Sequence, residues 1–448
     1  MDLDRRAFLK RMGTLLVATS LGPIALDSFG PLGSPASAMS LPATGPLPTG
    51  TPILVVIDLQ GGNDSLNTLV PVSDSWYYDP TYGHGSLAIA PNAALPLPGL
   101  GFGLHPSLSW LANRWATTGD VALVPGAGER VKSEFSHFAA SMYRNTADFS
   151  GAEPLGWLGR YNDSVAPGSP VAAVSTNGLH AALTGALTPV LVVVDASNFS
   201  FSSDWRWRTG FNPALQALSV APGATGGAAS AAAGIANALV TGTTVRNSYN
   251  AGIASGSGSG SALTHQLAQA AMLIQAGVPS QTYVASVTGF DTHGSESWTH
   301  GDLLSKLDGA LAKFFAVIDA GARKNDVFVL VTSEFGRQVT ANSSGGCDHG
   351  QAGLNILVGG GVVRGLYGGA PNLNPGGPTR PNRLNDAMIP TVDFRAVYAT
   401  VLNRLGGDAN LTSAVLRGTF TDLGVFWGQV PPPIVAPPPV TTTTPTRI

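Results

Sequence analysis

Acidic and histidine side chains recur at four points of this chain, each beside an apolar run that is typical of a buried strand. They are Asp58 after residues 52–57, Asp291 and His293 after residues 283–287, Glu334 after residues 327–332, and Asp348 with His349 before residues 354–358. A single such group at a strand end is most often a cap or a satisfied polar residue. Several at one place are different, because clustered carboxylates repel unless a cation or a proton lies between them. The pattern therefore predicts a site for one or two divalent metal ions.

The types of ligand bear on the identity of the ion. Mixed carboxylate and imidazole ligands suit zinc, manganese or iron, whereas an all-carboxylate partner site would suit magnesium or calcium. Cys347, the only cysteine of the chain, could add a thiolate, but thiolate sites normally gather several cysteines. We interpret Cys347 as a small, semi-buried residue of a glycine-rich loop. A single cysteine also excludes an intramolecular disulfide.

The elements that would position these groups are strands that alternate with helices. Residues 327–332 form an unbroken β-branched and aromatic run, which predicts a strand buried on both faces. Ligands of a parallel sheet bind beyond the carboxyl ends of its strands, so Glu334 and Arg337 would emerge at that edge. The alternation predicts an α/β fold, a three-layer α/β/α sandwich with a mainly parallel sheet. Apolar residues at helical spacing predict helices over residues 105–117, 262–276, 303–318 and 392–405.

A second kind of candidate lies at a predicted helix start. Ser136 lies where that helix begins, and His137 follows it. The Ser136 hydroxyl could cap the helix or point into a site at its positive end, and the cap is the simpler interpretation. His137 and His293 are candidates for proton transfer, because imidazole titrates near neutral pH.

Composition limits the domain organisation and the partners. Charged residues make up 11% of the 448-residue chain and its formal net charge is -3. No nucleic-acid partner is expected, because such proteins carry a basic patch or stripe. We predict one large domain over residues 51–428, with residues 70–104 as a surface excursion and residues 196–260 as an inserted lid. Residues 429–448, rich in Pro and Thr, are predicted to form a disordered tail.

The N-terminus has the features of an export signal. Arg5 and Arg6 precede a modestly apolar segment over residues 12–26, and residues 36–38 offer small side chains for cleavage. These features predict a twin-arginine signal peptide over residues 1–38, followed by a linker over residues 39–50. A signal for the general export route and a membrane anchor are the alternatives. The mature protein, delivered by the twin-arginine translocase, would lie in the periplasm, on the cell surface or outside the cell, without a membrane span.

Taken together, the motifs resemble the bacterial exported proteins of the domain of unknown function 1501 family, which is grouped with the alkaline phosphatase and sulfatase superfamily. The resemblance covers residues 52–405, and besides the two arginines its motifs are Asp58 to Asp64, Ser136-His137-Phe138, Phe290 to His293, Thr332 to Arg337 and Asp348-His349-Gly350. It implies an alkaline-phosphatase-like fold. It also implies a nucleophile at Ser136 and metal ligation by Asp58, Asp291, His293, Glu334 and His349.

The chain departs from the phosphatase pattern at several positions. Asp291 and His293 are separated by one residue instead of three, and Phe335 stands where the phosphatases have a histidine ligand. Asp64 or Asp348 would have to replace that ligand, or the second metal would be weak or absent. The surroundings of the nucleophile position match neither phosphatases nor sulfatases. The position of the only cysteine disfavours a sulfatase of the formylglycine type.

These features predict a metal-dependent hydrolase of phosphate or related esters, borne by a small molecule or a polymer. The metal would polarise the ester and lower the pKa of Ser136 or of a bound water, and a second metal or Arg337 would stabilise the developing charge. Arg337 could equally form a structural salt bridge with Glu334 or a neighbouring acid. The alternative is a non-catalytic binding or surface-assembly protein that keeps this fold, since a fold alone does not fix a function.

Overall fold

The computed structural model describes residues 46–428, apart from residues 130–133, most of residues 195–260, and residues 378–379, 382 and 385. Three predicted segments therefore lie wholly or almost wholly outside the described residues. They are the signal peptide over residues 1–38, the lid over residues 196–260 and the tail over residues 429–448. Residues 46–50 are the described part of the predicted linker.

One sheet of nine strands forms the centre of the described chain. Its strands are β1 Ile53–Gln60, β2 Val121–Gly128, β3 Ala173–Ser175, β4 Val190–Val192, β5 Thr282–Thr288, β6 Val327–Thr332, β7 Gly353–Gly359, β8 Gly365–Leu366 and β9 Val392–Asp393. The order across the sheet is β8-β2-β7-β6-β1-β5-β3-β4, and β9 pairs with β2. Strand β7 runs antiparallel to both of its neighbours, whereas all other pairs are parallel.

Eight α-helices accompany this sheet in the described chain. They are α1 Ser65–Thr68, α2 Ser109–Thr117, α3 His137–Thr146, α4 Trp157–Val165, α5 Ala262–Gln275, α6 Glu296–Ala320, α7 Phe394–Arg404 and α8 Ala409–Leu416. Two 3₁₀ turns, Gly85–Leu87 and Ala181–Leu183, are also present. Three short strands, Leu69–Val70, Leu95–Leu97 and Phe102–Leu104, form a small separate sheet. Two short hairpins pair Gly376–Gly377 with Arg380–Pro381 and Arg383–Leu384 with Ala387–Met388.

Alternating side chains of β1 pack against different helices. Ile53, Val55 and Ile57 belong to a buried cluster with apolar residues of α2, α5 and α6. Leu54 and Val56 belong to a second cluster with residues of α4, α7 and α8. Successive residues of a strand face opposite sides of the sheet, so helices cover both faces. The predicted α/β fold with a mainly parallel sheet is therefore confirmed.

The carboxyl ends of β1, β5 and β6 lie at one edge of the sheet, because the three strands are adjacent and parallel. Strand β7 is antiparallel to β6, so the loop that precedes β7 reaches the same edge. The chain leaving β2, which is parallel to β6, enters α3 there as well. The topology thus gathers loops from distant parts of the sequence at one place. No helix in the described part of the chain is long and apolar enough to cross a bilayer.

Candidate metal centre

Three imidazole rings surround one carboxylate oxygen at this edge. The Nε2 atoms of His137, His293 and His349 lie 3.2, 3.2 and 3.3 Å from Oδ1 of Asp291. His137 is the first residue of α3, Asp291 and His293 follow β5, and His349 precedes β7. Two ligands of a tetrahedral ion at about 2.0–2.1 Å are separated by about 3.3 Å. The spacing of His137, Asp291 and His349 therefore matches that of ligands to a single small cation, since one ligand atom of each lies within 4.8 Å of the others.

The other ring nitrogen of each histidine faces a hydrogen-bond acceptor. His137 Nδ1 lies 2.9 Å from Glu334 Oε1, and His293 Nδ1 lies 3.0 Å from Asp348 Oδ1. His349 Nδ1 lies 2.5 Å from the carbonyl oxygen of Phe135. A carbonyl or carboxylate oxygen only accepts, so each Nδ1 carries a proton and donates it. In a neutral ring, Nε2 then keeps a free lone pair directed at Asp291, the arrangement that metal-binding histidines adopt.

The Nε2 atoms of His293 and His349 lie 2.7 Å apart. Burial lowers the pKa of His349, the hydrogen bond to Phe135 opposes this effect, and the charges of His137, Arg337 and His293 lower the pKa further. His349 is therefore neutral near pH 7. Two lone pairs at this separation repel unless a proton or a metal cation is shared between them. His137 Nε2 is also buried, and no described residue makes a hydrogen bond of normal geometry to it, although Asp291 Oδ1 lies 3.2 Å away.

The Asp291 carboxylate is held in its ionised form by Arg337. Burial would raise the pKa of Asp291, but the hydrogen bond and charge of Arg337, together with the charges of His137 and His293, lower it to about 2. The Arg337 Nη2 atom lies 2.7 Å from Asp291 Oδ1. The Asp291 side chain is 48% exposed. The centre therefore combines an ionised carboxylate, imidazole lone pairs and access to solvent, a donor set that fits a divalent ion such as zinc or manganese.

Arg337 itself is fully buried and joins three loops. Its guanidinium donates to the carbonyl oxygens of Gly62 (2.8 Å), Phe290 (2.9 Å), Cys347 (3.0 Å) and Gly61. These acceptors lie after β1, after β5 and before β7. The salt-bridge alternative predicted for Arg337 is thus what the geometry favours, with Asp291 rather than Glu334 as the partner. Arg337 acts as a positioning residue for the carboxylate.

Glu334 supports His137. Its Oε1 atom accepts from Gly61 N at 2.8 Å as well as from His137, and its Oε2 atom accepts from the Ser333 hydroxyl at 3.0 Å. Gly61 approaches so closely that a Cβ atom there would lie 2.3 Å from Asp291 N, and its φ of +120° is unfavourable for other residues. The Phe335 ring packs 4.9 Å from that of His137 and 5.0 Å from that of His349. It lines the centre with an apolar wall where the resemblance implies an imidazole.

The remaining predicted residues are placed differently. Asp58 Oδ2 lies 3.1 Å from both Gln60 Nε2 and His180 Nε2, so its contacts are with these residues rather than with the three imidazoles. Ser136 is exposed beside His137 in the chain, and its side chain makes no capping bond to α3. Asp348 contacts His293 and accepts from Asn342 at 3.0 Å. Metal ligation by Asp58 and nucleophilic attack by Ser136 stay predictions.

A second polar cluster lies behind the first and is fully enclosed. Its titratable members are Asp64, His84, Glu296, His300 and Cys347, all buried. Of these residues, sequence patterns single out Asp64 and Cys347. His84 lies in residues 70–104, which composition suggested to be surface, yet it is completely buried. Glu296 and His300 lie at the start of α6, where an acid is ordinary and gives no signal of its own.

Comparison with known proteins gives a family match over part of the chain. Residues 240–420 match the model of a family described as protein of unknown function (DUF1501). The matched segment contains Asp291, His293, Glu334, Asp348 and His349, and the predicted resemblance is confirmed to that extent. No curated protein matches the chain.

Two solved structures show a distant likeness. A protein of the alkaline phosphatase superfamily from Vibrio parahaemolyticus is 10% identical, with a TM-score of 0.38, over 94% of this chain and 79% of that one. Ps i-CgsB, solved in complex with k-i-k-neocarrahexaose, is 8% identical, with a TM-score of 0.35, over 83% of this chain and 75% of that one. At these TM-scores neither likeness assigns a residue or an activity here.

Proposed function

We propose that this chain is an exported metal-dependent hydrolase of phosphate or related esters. The observation that supports it most is the convergence of three imidazole Nε2 atoms on Oδ1 of Asp291, with each Nδ1 held by an acceptor. His137, Asp291 and His349 would hold the ion, and His293 faces the same point. A divalent ion bound there would polarise an ester oxygen and lower the pKa of a bound water.

Side chains around the centre fix the orientation of its candidate ligands in the substrate-free protein. Arg337 fixes the Asp291 carboxylate, while Glu334 and Asp348 orient the rings of His137 and His293. Electrostatic stabilisation is most effective when such groups need no reorganisation during the reaction. The partial exposure of Asp291 and His293, 48% and 45%, leaves room for a substrate group on the solvent side.

Ser136 is the proposed nucleophile, with water as the alternative. Its exposed hydroxyl precedes His137 at the amino end of α3, a ten-residue helix whose positive end favours an anionic group. If Ser136 attacks the ester, Ser136→Ala should lower kcat by at least about a thousandfold, as loss of a nucleophile does. If water attacks, the same variant should keep kcat within a few-fold of the wild type.

The decisive experiment combines metal analysis with turnover. The mature protein is supplied with zinc, manganese, magnesium or calcium and assayed on phosphate monoesters, phosphate diesters and sulfate esters. The proposal expects turnover that depends on one of these metals and is lost in Asp291→Ala and His349→Ala. Absence of turnover with every metal, and unchanged metal content in both variants, would reject it in favour of a binding or surface-assembly protein.

Export is a separate part of the proposal and has its own test. Arg5 and Arg6 are the residues on which the twin-arginine signal depends. Changing both to Lys should leave the protein in the cytoplasm, whereas the unchanged chain should appear outside the cytoplasmic membrane with residues 1–38 removed. Equal export of both forms would contradict the twin-arginine route.

A further inference from the structure

The enclosed cluster behind the candidate centre contains an unusual carboxyl group. The Glu296 side chain is 0% exposed, and within the described part of the chain neither of its oxygens has a hydrogen-bond partner of normal geometry, although Asp64 and Thr292 lie beside it. An unpartnered buried carboxylate is costly, because burial removes its hydration and nothing replaces it. Burial and the charge of Asp64 raise the pKa of Glu296 to about 9, so either a proton or a metal cation balances this group near neutral pH.

A neighbouring histidine, His300, belongs to the same cluster. His300 Nε2 lies 2.9 Å from Asn63 Oδ1, so this nitrogen carries the proton and donates it. The other ring nitrogen, Nδ1, is buried and finds no hydrogen-bond partner among the residues that the structure describes. Glu296 and His300 are four positions apart on α6, which places both side chains on one face of the helix.

Asp64 completes the group from the loop that follows β1. One ligand atom from each of Asp64, Glu296 and His300 lies within 4.8 Å of the others. Asp64 also pairs with His84, whose Nε2 atom lies 3.0 Å from Oδ2. His84 Nδ1 lies 2.7 Å from the carbonyl oxygen of Val339 and donates to it. One ligand atom of His84 also lies within 4.8 Å of one of Glu296, so this imidazole lies between the two acids.

Arg337 is a further cation near Glu296, but it makes no hydrogen bond to the Glu296 carboxyl group. Arg337 contributes positive charge to the neighbourhood of Glu296. Its guanidinium nevertheless donates to four backbone carbonyls and to Asp291, with no hydrogen bond to Glu296. Asp64, Glu296 and His300 thus form a closed set of oxygen and nitrogen donors in which Glu296 must keep a proton unless a metal cation replaces it.

We propose that Asp64, Glu296 and His300 form a second metal site, which holds a structural divalent cation in the interior. The mixed oxygen and nitrogen donors suit zinc or manganese better than calcium or magnesium, which prefer oxygen alone. The ion would link the loop after β1 to the start of α6, directly behind Arg337. It is distinct from the solvent-accessible centre and does not depend on the proposed hydrolase activity.

Burial gives the two sites different behaviour toward a chelator. Asp64 and His300 are each 1% exposed, whereas Asp291 is 48% exposed. EDTA should remove an ion from the accessible centre while the chain remains folded, and should reach the interior ion only on unfolding. Full-length protein produced with added zinc and manganese is dialysed against EDTA, and its remaining metal is counted by mass spectrometry.

The wild type and His349→Ala should each retain about one ion per chain after EDTA, and Glu296→Gln should retain at least about tenfold less, as expected when a ligand is lost. Asp308→Asn is the matched control, because Asp308 is a buried acid on the same helix that accepts from Trp110 N and Leu111 N instead. It should retain the ion. His300→Gln provides a second variant if Glu296→Gln does not fold.

Three results would overturn the proposal. The first is a folded wild type that holds no chelator-resistant ion, which would mean that a proton shared between Asp64 and Glu296 balances the cluster. The second is an ion that persists in Glu296→Gln and His300→Gln. Loss of the ion in His349→Ala but not in Glu296→Gln would place it at the accessible centre and would also contradict the interior site.

Discussion

Asp291→Asn tests the electrostatics of the accessible centre in the metal-free protein. The folded pKa of Asp291 is about 2, below the ordinary 3.8, because the hydrogen bond and charge of Arg337 outweigh the opposing effect of burial. At about 1.36 kcal/mol per pH unit, this pKa difference sets an upper limit of about 2.4 kcal/mol on what ionised Asp291 contributes to the free energy of unfolding. The side chain is 48% exposed, so solvent screening reduces the expected loss in Asp291→Asn to about 1 kcal/mol.

The sign of the pH dependence follows from the direction of the pKa change. A depressed carboxyl pKa contributes stability above pH 3.8 and loses it as the pH falls through 2. The difference in free energy of unfolding between the wild type and Asp291→Asn should therefore be full at pH 7 and about halved at pH 3. Urea unfolding in EDTA at both pH values measures it.

The control is Asp302→Asn, because Asp302 is a similarly exposed acid that pairs only with Lys306 on the surface of α6. Asp302→Asn should lower the free energy of unfolding by no more than about 0.5 kcal/mol at pH 7. The reasoning is refuted if Asp291→Asn is as stable as the wild type at pH 7, or if the difference between them grows as the pH falls.

Three further predictions concern stability. Gly61→Ala should lower the free energy of unfolding by about 2 kcal/mol or more. Gly61 has a φ of +120°, and a Cβ atom there would lie 2.3 Å from Asp291 N. An unchanged Tm in calorimetry would contradict this prediction. Leu330→Ala should cost about 2–5 kcal/mol in urea unfolding, because Leu330 is fully buried in β6, and a loss under 1 kcal/mol would be inconsistent with that packing. In metal-free protein, the hydrogen bond to Glu334 raises the pKa of His137 while burial opposes it. The advantage of the wild type over His137→Gln should therefore be full below pH 6.5 and decline at alkaline pH, and an advantage that increases with pH would show the opposite sign.

The sheet could be predicted from the sequence because its central strands are long apolar runs. β1, β5, β6 and β7 coincide with such runs, and each has chemistry-bearing residues at the same edge of the sheet. Parallel strands end at the same edge, which places Asp291 and Glu334 together, and His349 reaches that edge because it precedes the antiparallel strand β7. This part of the site can be predicted from the apolar strand patterns, because ligands of a parallel sheet bind beyond the carboxyl ends of its strands.

Other parts of the site depend on contacts that no local pattern encodes. Asp58 also lies at a strand end, but its neighbour is His180, whose position is set by a 3₁₀ turn far along the chain. His84 is buried by packing of residues 70–104 against Val339, a contact across more than 250 residues. Hydrogen-bond partners of this kind decide which acids and imidazoles meet, and composition does not reveal them.

The most direct test of the account is a zinc titration of EDTA-treated protein. The wild type should bind one ion at the accessible centre and release protons on binding, since the imidazoles must be neutral to ligate. The double variant His293→Ala/His349→Ala should show no such binding, while Asp302→Asn binds as the wild type does. Equal affinity and stoichiometry in the double variant and the wild type would contradict the claim that these imidazoles form a metal centre around Asp291.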